Sequence, residues 1–117
     1  MSARPNTIEL APSGRTLAEQ VAMTHLATES GWAGAWVSEV NGFDAVTQAA
    51  ALAPVVGTGR VGTAIVPMQT RDPLLMAMSA ASLNQLLPGR FVLGLGTSTP
   101  IIIHDWHASD WGKPIAL

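Results

Sequence analysis

Two polar segments of the sequence carry residue types that could contact a ligand, and each directly follows an apolar run. Glu39 comes after the run Ala35–Val37, and the glycine-containing segment Gly96–Ser98 comes at the end of the run Phe91–Leu95. Glycine lets a backbone approach a ligand closely, and free amides ahead of a helix attract anions. We therefore predict ligand contacts by the glycine-containing segment. The carboxylate of Glu39 could contact a ligand or cap the next turn, and the sequence leaves both interpretations open.

A further segment, from His104 to His107, combines two imidazoles with Asp105 and Trp106. Histidines at this spacing can place both rings on one side of a helix, but two imidazoles and one carboxylate in a single loop are a weak signal for a metal site. We predict no metal, and favour a polar turn or a pocket rim in which Trp106 and Trp111 could wall a flat ligand. No general base, nucleophile or phosphate clamp can be assembled, so the catalytic residues stay unassigned.

Three helices are predicted, because each of three stretches begins at a side chain that can cap it. They are Leu17–Ser30, Ala45–Ala53 and Leu74–Leu87. Thr16 and Glu19 fit a capping box for the first helix. Asp44 can cap the second helix, and Asp72 followed by a proline is a strong start for the third. Apolar residues follow at helical spacing in the first helix: Leu17, Val21, Ala22 and Leu26.

Four short runs are predicted to be strands: Ile8–Leu10, Ala35–Val37, Val61–Val66 and Phe91–Leu95. Strand and helix therefore alternate along the chain, which favours either a doubly wound parallel sheet or a (β/α) barrel. Four strand–helix units are half of an eight-unit barrel. We predict the α/β class, as a half-barrel of about four units of the (β/α)8 TIM-barrel type. Pro67 is expected to stop the third strand from pairing further.

The composition is poor in charge for a chain of this size. Of the 117 residues, 48% are hydrophobic and 12% are charged, whereas about 25% charged residues are usual in a soluble domain. We therefore expect that another chain covers part of the apolar surface, or that the sequence is part of something larger. A homo-oligomer and the missing C-terminal half of a barrel are both consistent with this expectation.

Charge and residue usage also exclude several classes of function. A formal net charge of −2 gives no electrostatic footprint for a nucleic-acid backbone. The sequence has no cysteine, which excludes disulfides and thiolate chemistry. No apolar run approaches the roughly 20 residues that span a bilayer, and the first residues contain no apolar secretion signal. We therefore expect a cytoplasmic protein with neither nucleic acid nor membrane as a partner.

Taken together, several motifs resemble the luciferase-like monooxygenase superfamily, and within it the coenzyme F420-dependent oxidoreductases. The motifs are Trp36–Glu39, Gly62–Pro67, Thr70–Pro73 and Gly89–Gly96. The resemblance implies a (β/α)8 barrel, usually dimeric, that binds a flavin or a deazaflavin across the carboxyl ends of its strands. It therefore implies coenzyme F420 or FMN as the cofactor and a small organic molecule as the substrate.

The resemblance also implies which residues contact the cofactor. They are Glu39, Ala64, Ile65, Gly96, Thr97 and Ser98. The peptide bond between Ala64 and Ile65 is expected to be cis, in a bulge at the end of the third strand. Two positions depart from the sugar-phosphate dehydrogenases of this superfamily. Val40 stands where those enzymes have a histidine, and Thr99 where they have a glutamate, so their acid–base chemistry cannot be assumed here.

We therefore predict a flavin- or coenzyme F420-dependent oxidoreductase that performs hydride transfer or oxygen-dependent oxidation. Residues 1–117 are expected to form the N-terminal part of one barrel domain with no internal boundary, because barrels of this type run to about 250 residues. As such a short chain, the protein is expected to bind its cofactor weakly or not at all. The alternative is a non-catalytic half-barrel that associates with itself or with a complementary chain.

Overall fold

The computed structural model describes residues 6–11 and 13–113. The predicted domain bounds and the N-terminal segment assessed for a secretion signal therefore lie partly outside the described residues. Strands and helices alternate as the sequence predicts, and a π-helix, which the sequence did not predict, follows the last strand. The elements are β1 (Ile8–Leu10), α1 (Leu17–Glu29), β2 (Gly34–Val37), α2 (Ala45–Leu52), β3 (Arg60–Thr63), β4 (Val66–Pro67), α3 (Pro73–Leu86), β5 (Phe91–Val92), β6 (Leu95–Gly96) and the π-helix (Ile102–Trp106).

Each of the three α-helices begins after the capping residue that the sequence indicates. The Thr16 side chain accepts a hydrogen bond from the Glu19 backbone N–H at 3.2 Å, and the Glu19 carboxylate accepts one from the Thr16 N–H at 2.7 Å. Asp44 accepts a bond from the Thr47 N–H at 2.7 Å, and Asp72 caps α3 in the same manner. These bonds satisfy amide groups that the first turn of a helix leaves without a partner.

The residues that α1 buries are not all the ones that its apolar pattern predicts. Leu26 keeps 66% of its surface exposed, whereas the polar residues Gln20 and Thr24 are buried. The Gln20 side chain accepts a hydrogen bond from the Gln48 amide of α2, and the Thr24 hydroxyl donates to the Gln20 carbonyl at 2.9 Å. Since each buried polar group has a partner, the helix can pack through them without a large desolvation penalty.

The sheet winds in one direction only. Strands β1, β2, β3 and β5 are parallel neighbours in the order in which the chain visits them. A doubly wound sheet would reverse this order at a switch point, so the barrel type of the two predicted alternatives is the one observed. The two remaining strands, β4 and β6, pair in parallel in a second, two-stranded sheet.

Two predicted strands are each divided in the structure. Val61–Val66 becomes β3 and β4, and Phe91–Leu95 becomes β5 and the start of β6. The expectation that Pro67 stops the pairing is wrong. The backbone N–H groups on either side of it, at Val66 and Met68, donate at 3.0 and 2.8 Å to the carbonyls of Gly94, just ahead of β6, and Gly96. Alternate residues of a strand donate to opposite sides, so the missing N–H of proline falls on the side that β6 does not use.

The two faces of the sheet differ in burial. The helices cover one face, where apolar side chains form the core: Leu10, Ala35, Val37, Ala49, Leu52, Val61 and Leu83. Because side chains alternate across a strand, Glu9, Trp36 and Gly62 face the opposite side. On that side a cavity of about 490 Å³ is lined by Thr7, Glu9, Trp36 and Ala64. The face that would look into the lumen of a barrel is therefore open.

None of the helices among the described residues has the length and apolar character to cross a membrane.

Candidate ligand site at the carboxyl ends of the strands

The residues predicted to contact a ligand lie at the carboxyl ends of the strands. Glu39 follows β2, Ala64 and Ile65 connect β3 to β4, and Gly96 ends β6. The peptide bond between Ala64 and Ile65 is cis, as the resemblance implied. Parallel strands present their carboxyl ends at one edge of the sheet, which is where βα folds bind ligands. The structure thus brings the predicted residues to a single edge.

The connection between β3 and β4 is fixed by hydrogen bonds from β2 and its loop. The Ala64 N–H donates to the Val37 carbonyl at 2.8 Å, and the Glu39 N–H donates to the Ile65 carbonyl at 3.2 Å. The Ser38 hydroxyl donates to the Ala64 carbonyl at 2.7 Å. The Ala64 side chain itself is exposed on the open face. Its small methyl group leaves the neighbouring backbone accessible to a ligand.

The glycine-containing segment is packed tightly against the same connection. A side chain at Gly96 would come within 2.7 Å of the Ile65 side chain, and one at Gly94 would overlap the Thr63 carbonyl. Beyond Gly96, Ser98 adopts a left-handed backbone conformation with φ of 55°. The Thr97 carbonyl accepts a hydrogen bond from the Trp111 indole at 2.9 Å. Glycine is therefore needed here for strand packing, and contact of this segment with a ligand stays a prediction.

Glu39 lies in a network of charged side chains. The Arg71 guanidinium donates two parallel hydrogen bonds to the Glu39 carboxylate, each of 2.8 Å, and also contacts the carboxylate of Asp44. The Ala45 N–H, in the first turn of α2, donates to Glu39 at 2.8 Å. A pair of this kind combines charge with fixed geometry. The structure supports the capping interpretation of Glu39, because its carboxylate bonds the first turn of α2, and contact of Glu39 with a ligand stays a prediction.

The network also shifts two pKa values. The hydrogen bonds from Arg71 to Glu39 raise the pKa of the Arg71 guanidinium, whereas burial acts to lower it. The negative charges of Glu39 and Asp44 add to the hydrogen bonds, so the pKa of Arg71 is raised. Burial acts to raise the pKa of Asp44, but the hydrogen bonds from Thr47 and the positive charge of Arg71 outweigh it and lower that pKa. The contacts of Arg71 and Asp44 therefore favour the charged forms of these two groups.

A cavity of about 590 Å³ opens beside this network, and we call it the rim cavity. The loop between β2 and α2, the segment after β4 and the end of the π-helix surround it. Its lining includes the side chains of Glu39, Val40, Phe43, Asp44, Arg71, Leu75 and Trp106. His107 lines the cavity as well, so Trp106 and His107 lie at a pocket rim as the sequence suggested. Trp111 is not among the residues lining this cavity.

Metal ligation finds no support among residues 6–11 and 13–113, which contain no cluster of three or more His, Asp or Glu side chains that could hold an ion.

A larger cavity, of about 910 Å³, lies at the opposite edge of the sheet, where Trp32 and Arg60 line it. It is remote from the carboxyl ends of the strands, so its size alone does not make it the functional site.

Two contributors to the site were missed by sequence reasoning. Arg71 is 32 positions from Glu39, and no local pattern links the two. The Gln69 amide donates to the Trp111 carbonyl at 3.3 Å, while its oxygen is buried and has no donor among the described residues. The one signal for Arg71 in the sequence was the motif Thr70–Pro73, which contains this residue and contributed to the resemblance.

A singly wound parallel sheet with a site at the carboxyl ends of its strands is typical of (β/α)-barrel proteins. Comparison with known proteins gives the family. The model of the luciferase-like monooxygenase family matches residues 2–117, and the chain belongs to that family. A Mycobacterium tuberculosis protein named as a coenzyme F420-dependent oxidoreductase is 33% identical over 90 residues, which are 77% of this chain and 26% of that protein.

Two solved structures share the fold. The coenzyme F420-dependent tetrahydromethanopterin reductase of Methanopyrus kandleri superposes with a TM-score of 0.78 at 22% identity, over 88% of this chain and 30% of the reductase. The oxygenating constituent of 3,6-diketocamphane monooxygenase of Pseudomonas putida, in complex with FMN, gives 0.78 at 18% identity, over 89% and 33%. The chain therefore spans about a quarter to a third of the length of these relatives. Its fold is that of part of a TIM barrel.

Proposed function

We propose that this chain forms the cofactor-binding βα portion of an oxidoreductase that uses coenzyme F420 or FMN and acts on a small organic substrate. The observation that carries the proposal is the surface of small residues at the carboxyl ends of the strands, where Ala64 is exposed and Gly96 packs directly on Ile65. Such a surface suits the close approach of a planar ring. The family match over residues 2–117 supports the same function.

The chain's own residues would hold the cofactor mainly through their backbone. Ala64 and Ile65 would lie against the ring, and Gly96, Thr97 and Ser98 would border it. When bound, the cofactor supplies the hydride chemistry, and the protein supplies position and electrostatics. The residues present fit such a group, since the strand ends offer an open face and the Gln69 oxygen offers a buried acceptor without a donor among the described residues.

Glu39 has a different role in this proposal. Both oxygens of its carboxylate accept bonds from Arg71, and one also accepts from the Ala45 N–H. A carboxylate whose acceptor positions are used in this way is a poor general base. We therefore assign Glu39 to the cofactor site through its backbone N–H, which holds the Ile65 carbonyl.

Cofactor titration tests the proposal. We expect the purified chain to change the absorbance of FMN or coenzyme F420 with weak affinity, in the high micromolar range. Ala64→Leu would place a bulky side chain on the open face and should weaken that binding further. Ala22→Leu, at another exposed alanine on α1, is the matched control and should leave it unchanged. Absence of any absorbance change with either cofactor would reject cofactor binding by this chain.

The open face of the sheet favours a second candidate, a non-catalytic half-barrel that associates with itself. In this arrangement two copies would cover each other's open faces, including Trp36 and the cavity beside it. Light scattering after size-exclusion chromatography distinguishes the two. A compact monomer that excludes hydrophobic dyes would contradict self-association, and a stable dimer without cofactor affinity would favour it. In both candidates we propose that residues 1–117 belong to one domain.

A further inference from the structure

We propose that the rim cavity binds a small organic cation that carries an aromatic or other apolar group. If this molecule is the substrate, the inference rests on the proposed function and adds the charge class of the substrate to it. The volume of about 590 Å³ falls within the roughly 300–1,000 Å³ of small-molecule sites. Three properties of the cavity carry the proposal: its apolar walls, its net charge, and the hydrogen bonds that already engage the guanidinium of Arg71.

The walls of the rim cavity are apolar side chains that stay partly exposed. Phe43 is 38% exposed, Leu75 46% and Trp106 53%. Val40, which is 37% exposed, adds a fourth apolar side chain. Exposed apolar groups gathered around a polar floor are typical of ligand sites, in which the apolar part supplies affinity and the polar part orientation.

The floor of the cavity carries one net negative charge. It contains the carboxylates of Glu39 and Asp44 and the guanidinium of Arg71. The Glu39 side chain is only 10% exposed, whereas that of Asp44 is 46% exposed. A ligand therefore meets the Asp44 carboxylate, and its charge favours a cation. The indole of Trp106 adds a second attraction, because a cation is drawn to the face of an aromatic ring.

Arg71 cannot serve as an anion clamp in this arrangement. Its Nη1 donates to Glu39 at 2.8 Å and lies 3.4 Å from the Thr70 hydroxyl, and its Nη2 donates to Glu39 and to Asp44. Recognition of a carboxylate or phosphate by arginine uses these same terminal nitrogens. An anionic ligand would therefore meet a guanidinium that is already neutralised and an exposed carboxylate that repels it.

Three probes of the same shape but different charge test the proposal on the full chain: 2-naphthylmethylamine, 2-naphthylmethanol and 2-naphthoate. Their dissociation constants are measured by protein NMR, with the Trp106 indole N–H and the Gly42 amide as reporters inside the cavity and the Trp36 indole as the reporter outside it. We expect the amine to shift the inside reporters and to bind about five-fold tighter than the alcohol, which is the effect of one charge about 4 Å away at high dielectric.

Two matched variants separate the cavity from general charge effects. Asp44→Asn removes the exposed carboxylate of the cavity and keeps a residue type that caps a helix well. Asp72→Asn makes the same change at the cap of α3, outside the rim cavity. We expect Asp44→Asn to weaken amine binding about five-fold and to leave alcohol binding unchanged. We expect Asp72→Asn to alter neither.

The outcomes either support or overturn the inference. Naphthoate binding as tightly as the amine, the same loss of affinity in both Asn variants, shifts confined to the Trp36 indole, or no shift with any probe would each overturn it. Parallel titration with FMN and coenzyme F420 separates it from the proposed function. Amine binding in the rim cavity without any cofactor binding would refute the redox proposal alone, and cofactor binding without amine selectivity would refute this inference alone.

Discussion

Among the described residues, no other replacement of one charged residue by an apolar residue should destabilise the chain as much as Arg71→Met. The side chains of Arg71 and Glu39 are 11% and 10% exposed, and two bonds of 2.8 Å join them. Arg71→Met keeps most of the side-chain volume but leaves the Glu39 carboxylate shielded from water with the Ala45 N–H as its one strong donor. The loss arises mainly from this unpaired charge.

The magnitude follows from how much of the pair is exposed. Removing one partner of a fully buried ion pair costs about 3–5 kcal/mol. Here the pair is slightly exposed, and Glu39 keeps one backbone hydrogen bond worth roughly 1–2 kcal/mol. We therefore expect Arg71→Met to lower the free energy of unfolding by about 2–3 kcal/mol. Glu39→Gln should lower it by roughly 1–2 kcal/mol, because Asp44 still pairs with Arg71.

Urea unfolding of the two single variants and the double variant measures these values. Because the two side chains are in contact, the double variant should lose less stability than the sum of the single losses, with a coupling of roughly 1–2 kcal/mol. Arg15→Met, at an exposed position, is the control and should change stability by less than about 0.5 kcal/mol. Strict additivity, or a loss no greater than that of the control, would refute this account of the network.

Three further predictions concern other contacts. Thr16→Ala removes one half of the capping box with Glu19 and should lower the free energy of unfolding by about 1 kcal/mol, measured by urea titration. The pKa of Asp44 is lowered in the folded chain, so its contribution to stability is present above its ordinary pKa of about 3.9 and is lost as the pH falls through the lower folded value. Asp44→Asn should therefore reduce the loss of stability at acid pH. Gly62→Ala would place a methyl group against the Trp36 indole; we expect a loss of about 1–3 kcal/mol that Trp36→Leu partly relieves, measured in the double variant.

The helices could be predicted from the sequence because their signals are local. Thr16 with Glu19, Asp44 alone, and Asp72 before a proline each satisfy amide groups within the first turn of their own helix. The burial of Gln20 could not be predicted in this way, because its partner Gln48 lies on α2. From the sequence alone a polar side chain is expected to be exposed to solvent. Its burial can be predicted only when the residue that hydrogen-bonds it is known to lie next to it in the fold.

The division of the strands had no local signal either. An apolar run such as Val61–Val66 shows that its backbone is extended and buried, but not which neighbour each residue bonds. Ala64 bonds back to β2, while Val66, two residues later, bonds to the Gly94 carbonyl ahead of β6. This change of partner occurs at the edge where the predicted site lies. The resemblance indicated a bulge there, whereas composition and spacing alone indicated an ordinary strand.

The charge network links stability to ligand preference, and the two should respond to Arg71→Met in opposite directions. Loss of the guanidinium weakens the fold but leaves two carboxylates in the rim cavity without a positive partner. Binding of 2-naphthylmethylamine should then exceed that of 2-naphthoate by a larger ratio than in the unaltered chain, measured below the unfolding transition of the variant. A ratio no larger than that of the unaltered chain would refute this link, because the positive charge of Arg71 would then have had no effect on the charge that a ligand meets.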